Sequence, residues 1–71
     1  MAFIQWKVKS VGYTDTFDNE PAARRDYGKL KAEIKEENEG WVEFYARETL
    51  KANWELQQEF RLNEEEEGDD D

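Results

Sequence analysis

The sequence predicts a small α+β domain in the order β-α-β-β, a three-stranded sheet with one helix packed on one face. Three patterns point there: apolar and polar residues alternate over 3–9, an apolar stripe recurs at helical spacing over 20–39, and a set of apolar residues occupies even positions from 42 to 62. At 71 residues there is room for one domain. A chain of this length buries only ~60% of the surface it exposes when unfolded, so one helix on one small sheet is about the limit.

The first strand is read from FIQWKVK, in which Ile4, Trp6 and Val8 alternate with Gln5, Lys7 and Lys9, the period-two signature of a strand with one buried face. The following VGYTDTFDN collects Gly12, Asp15, Asp18 and Asn19 and reads as a turn leading to a helix cap. Pro21 then stands where the first helical turn tolerates a missing N–H. The helix is expected from Asn19 or Glu20 to Glu39, with Ala23, Tyr27, Leu30 and Ile34 forming one narrow apolar stripe and Gly40 as its left-handed stop. Gly28 inside it costs ~1 kcal/mol relative to alanine, so either something approaches closely there or the helix is weakened.

Beyond Gly40, the residues Val42, Phe44, Ala46, Leu50, Trp54, Leu56, Phe60 and Leu62 share even parity, which two strands explain and a helix does not. A hairpin over 41–48 and 54–62 follows, with Asn53 as a candidate left-handed loop residue. The run ETLKANWELQQEF is rich in helix formers, so a second helix in place of the C-terminal strand is the alternative. Residues 1–62 form the expected domain, and 63–71, NEEEEGDDD, an expected disordered acidic tail.

Net charge is −9, yet residues 1–63 hold 12 of the 19 acidic side chains and all 10 basic ones. The excess acid therefore belongs to Glu64, Glu65, Glu66, Glu67, Asp69, Asp70 and Asp71. With no cysteine and no histidine, the chain lacks a thiol nucleophile, an imidazole base, a disulfide framework and the usual zinc ligands. No catalytic residue, cofactor or metal site is expected. DTFDNE at 15–20 fails as a calcium loop because Phe17 breaks the alternation of oxygen ligands, and capping explains its acids. The glycines at 12, 28, 40 and 68 are isolated and form no phosphate loop. The start of the sequence has no apolar run of signal-peptide or membrane-span length, so the expected location is cytoplasmic, with no membrane contact.

If Ile4, Trp6, Val8, Val42, Phe44, Leu56 and Phe60 face the helix, then Phe3, Trp41, Tyr45 and Arg47 fall on the uncovered face among mixed charges. Strand propensity and cross-strand contact explain those aromatics without any partner. A docking surface explains them as well, because Trp, Tyr and Arg dominate binding hot spots. Direct nucleic-acid binding is disfavoured by Glu43, Glu55 and Glu59 on the same face and by the acidic tail. Mimicry of nucleic acid would need acid spread over the folded body, whereas Arg24, Arg25, Lys29, Lys31 and Lys35 share the helix with its acids.

The resulting expectation is a non-catalytic protein-binding module, an accessory or inhibitory regulator of a larger enzyme or complex. Phe3, Trp41, Tyr45 and Arg47 would anchor a partner protein bearing a basic patch, and the tail would steer it. Phage-encoded modifiers of host enzymes are an analogy of type. A nucleic-acid mimic and a self-associating subunit, such as a homodimer, are the alternatives.

Overall fold

The computed structural model describes residues 2–62, so the expected disorder of 63–71 lies outside the described residues. The chain runs β1 (Gln5–Ser10), β2 (Tyr13–Phe17), α1 (Glu20–Glu37), β3 (Gly40–Arg47) and β4 (Glu55–Leu62). The strands form one sheet in the order β2-β1-β3-β4, antiparallel throughout. The class is α+β as expected, but the sheet has four strands where the sequence predicts three.

The added strand is β2, which comes from the stretch read as a turn. Val11 and Gly12 form the tight connection between Ser10 and its partner Tyr13, with Gly12 at φ 64° supplying the left-handed position. Thr14 and Thr16 favour extended backbone, while Tyr13 and Phe17 pack against the core from the edge. As an edge strand, β2 leaves much of its side-chain surface in water, which is why Asp15 is tolerated within it. Its presence also reverses the chain before the helix, so β3 returns antiparallel to β1. The parallel crossover is therefore not from β1 to β3 but from β2 through α1 to β3, the two strands that flank β1, and it is this connection that the handedness rule governs.

Helix α1 begins where Asn19, in extended conformation, accepts the Ala22 N–H on its side-chain oxygen at 3.1 Å. It ends earlier than expected. Asn38, not Gly40, takes the left-handed position at φ 63° and donates its N–H to the Ile34 carbonyl at 2.7 Å. Gly40 instead opens β3 at φ 125°, where an added Cβ would stand 3.2 Å from the Ile34 side chain. Gly28 has open space around it, so the close approach considered from the sequence is absent among the described residues.

Ala23, Tyr27 and Ile34 of the helix meet Trp6, Val8, Val42, Phe44 and Ala46 of the sheet in a single buried cluster. Tyr27 and Phe44 pack as a tilted pair with ring centroids 5.5 Å apart. Leu30, Phe60 and Leu62 close the cluster at its margins.

The predicted C-terminal hairpin is present and no second helix forms there. Asn53 does not adopt a positive φ. Residues 48–54 instead make a longer loop tied by Ala52 N–H to Thr49 O at 3.2 Å and by Arg47 Nη1 to Ala52 O at 3.3 Å. Within β4 the register shifts, since Phe44 pairs with Gln58 and the next residue, Tyr45, pairs with Leu56. Gln57 is the extra residue of this bulge, and everything before it changes face. Leu56, expected against the helix, therefore sits opposite Tyr45 on the uncovered face and is 49% exposed.

Candidate docking face

The uncovered face is organised in cross-strand rows, because directly paired residues point the same way. One row runs Thr16, Lys7, Tyr45, Leu56; the next runs Thr14, Lys9, Glu43, Glu59. Gln5 faces Arg47 at one end, and Trp41 faces Arg61 at the other. Trp41, Tyr45 and Arg47 thus lie on the face assigned to them from the sequence.

Phe3 does not. It precedes β1, so strand alternation does not govern it, and it packs against the core cluster instead. Its neighbour Ile4, expected inside, is 46% exposed, with its N–H bonded to the Arg47 carbonyl at 2.9 Å. Trp54 goes the other way. Although it shares the even parity of the core residues, it lies just ahead of the bulge in the loop, and its ring meets Arg47 and Lys7 on the uncovered face. The loop and the bulge leave no periodic trace that could have marked this residue in sequence.

Cations and rings interleave across the face. The Arg47 guanidinium stands 4.2 Å from the Trp54 ring centroid, Lys7 Nζ is 4.8 Å from Tyr45 and 4.9 Å from Trp54, and Arg61 is 5.9 Å from Trp41. Polar contacts hold these groups in place. Gln5 Oε1 accepts from Arg47 Nε at 2.8 Å, Tyr45 donates its hydroxyl to Glu43 at 2.5 Å, and Arg61 bridges Glu43 at 2.9 Å and Glu59 at 3.4 Å. Trp41, Tyr45, Arg47 and Trp54 are each half-buried, presenting surface that is both ordered and accessible.

The electrostatics follow from this packing. Burial pulls the Lys7 ammonium below its ordinary pKa, and the nearby charges of Lys9 and Arg47 add to the effect against Glu43. The hydrogen bond to Glu43 pushes the Tyr45 phenol up to about 12, with burial as a second cause. Across the helix-covered edge, Tyr13 donates to Asp26 at 2.7 Å, and that bond raises its phenol. Neither tyrosine is poised as a base near neutral pH. Among the described residues no group of three or more Asp or Glu side chains is placed to hold a metal ion. No helix among them is long and apolar enough to cross a membrane.

A separate cavity of about 220 Å³ lies between the end of α1 and the β1–β2 turn, with Val11, Tyr13, Leu30 and Ile34 among its walls. It is below the ~300 Å³ at which small-molecule sites usually begin. The seven acidic residues from Glu64 to Asp71 lie outside the described residues. The chain matches no protein-family model, no curated protein and no solved structure.

Proposed function

We propose that the protein is a non-catalytic binding module, an accessory or inhibitory regulator of a larger protein or complex, and that it docks through the uncovered face of its sheet. The observation carrying this reading is the interleaved array of Trp41, Tyr45, Arg47 and Trp54 with Lys7 and Arg61. Trp, Tyr and Arg contribute most of the free energy at protein interfaces, and side chains already held by neighbours lose less entropy on binding. The absence of histidine and cysteine from the sequence supports a non-catalytic role. Trp54 takes the place of Phe3 among the anchors. The partner bears a basic patch beside the docking site, which meets the carboxylates of 64–71 and speeds encounter.

Affinity capture with the full chain tests this reading, using Trp41→Ala, Tyr45→Ala and Trp54→Ala beside the unmodified protein, with circular dichroism to establish that each variant is folded. Loss of the captured partner by at least two folded variants is expected, at ~2 kcal/mol or more per anchor. Undiminished capture by all three would reject the face. Release of nucleic acid from the captured partner would favour mimicry, and a dimer without any captured partner would favour self-association.

A further inference from the structure

We propose that the cavity between the end of α1 and the β1–β2 turn takes one lysine or arginine side chain of the partner, its aliphatic stem against the apolar walls and its charged head among the carboxylates around them. This rests on the docking reading above for the existence of a partner, and it gives part of the partner's basic patch a place on the folded body.

The cavity encloses about 220 Å³. An apolar cavity of about 150 Å³ already holds a benzene-sized molecule, so there is room for one side chain. Its walls come from Val11 and Tyr13 at the β1–β2 turn, Leu30 and Ile34 on α1, and Gly40 and Trp41 at the start of β3. They are tied together within the fold. Ser10 Oγ donates to the Trp41 carbonyl at 2.6 Å, Tyr13 donates its hydroxyl to Asp26 at 2.7 Å, and an added Cβ on Gly40 would stand 3.2 Å from the Ile34 side chain. A site formed in advance needs little ordering when a side chain enters. Trp41 also faces Arg61 on the uncovered face, so a partner seated there lies next to the cavity.

Val11 points to an apolar stem. It lines the cavity and is 66% exposed, in a two-residue hairpin connection where Asn, Asp or Gly is the usual choice. The turn itself gives no reason for a valine; a stem laid along it does.

Glu33, Glu37 and Glu39, which also border the cavity, point to a cation. Glu33 and Glu37 stand four residues apart on α1, a spacing at which like charges repel. Glu37 is the last helical residue, at the end where the helix dipole disfavours anions. Lys35, the basic residue of that turn, lies 5.8 Å from the Phe60 ring centroid, and none of the three glutamates has a cation within ion-pair distance among the described residues. A cation at the cavity relieves both penalties. Among the described residues no three carboxylates are placed to hold a metal ion. A cationic side chain needs no such convergence, because its stem is covered while its head stays at the rim in water.

The test uses the full chain and no partner, so it can fail while the sheet-face variants still lose capture. End-blocked tripeptides with lysine or arginine between glycines are titrated against the isotope-labelled protein at matched ionic strength, with norleucine in the same position as the uncharged counterpart. Saturable shifts of the Val11, Tyr13 and Gly40 amide signals are expected with at least one cationic peptide. The norleucine peptide should bind about tenfold more weakly, as three exposed ion pairs acting together imply. A full-length Glu33→Gln, Glu37→Gln and Glu39→Gln protein should bind the cationic peptides no better than the norleucine one, and Val11→Asn should weaken them; the same spectra show that each variant is folded. Cationic peptides that leave those amides unshifted, or shift only residues 64–71, would overturn the proposal. Undiminished binding by either variant, or equal binding of the norleucine peptide, would overturn it too.

Discussion

Phe44 and Leu56 carry the same even-numbered apolar signature in the sequence, yet they end on opposite faces of the sheet. Phe44 is 1% exposed against Tyr27, and removing its ring should leave a cavity. Phe44→Ala is expected to cost ~3–5 kcal/mol in urea denaturation, whereas Leu56→Ala should fall within ~0.5 kcal/mol of the unmodified protein. Equal losses at both positions would restore the uniform parity that the bulge breaks. Tyr45 offers a second check at this scale. Its folded-state pKa of about 12 lies above the ~10 of an unfolded chain, so its contribution to stability is complete below pH ~10 and is lost as pH rises toward 12. Absorbance titration should show a late-ionising phenol that moves toward the ordinary value in Glu43→Gln. The placement of Trp41, Tyr45 and Arg47 on the uncovered face was legible because strand alternation governs β3 along its whole length. The places of Phe3 and Trp54 were not, because one precedes its strand and the other lies in a loop.

Helix α1 was legible in its stripe and its start, since a side-chain cap and a proline in the first turn are local signals. Its end was less so, because both Asn38 and Gly40 suit positive φ and only packing against Ile34 decides between them. Asn19→Ala should destabilise the fold by ~1 kcal/mol through loss of the bond to Ala22. Gly28→Ala should stabilise it by ~0.5–1 kcal/mol, because its Cβ enters open space and the helix interior gains propensity. A loss of stability at position 28, measured in the same denaturation experiment, would contradict the open environment of that residue. Strand β2 escaped prediction for a physical reason. Residues that suit a solvated edge strand, threonine with aspartate and tyrosine, also suit a turn, and the hydrogen bonds that separate the two cases come from β1.

At the scale of the whole fold, the four strands and one helix of the described residues leave one sheet face without a layer from those residues over it. The core takes the apolar residues of the covered face, and the uncovered face takes an ordered mixture of rings and cations. Class and covering were legible from periodicity, while strand number and direction depended on β2. The charge count was legible too, since it separates a nearly balanced body from an acidic run. Alternation alone places Lys7, Lys9, Arg47 and Arg61 on the uncovered face with Glu43 and Glu59; what it misplaces is Glu55, which the bulge moves into the row of Ala46.

Docking through that face is tested most directly by photo-cross-linking from two exposed positions. Benzoylphenylalanine replaces Leu56 on the uncovered face in one full-length protein and Ala32 on the outer side of α1 in another. Irradiation with the captured partner should give a covalent adduct from position 56 and none from position 32. An adduct from position 32 alone, or from neither position while capture persists, would contradict the account.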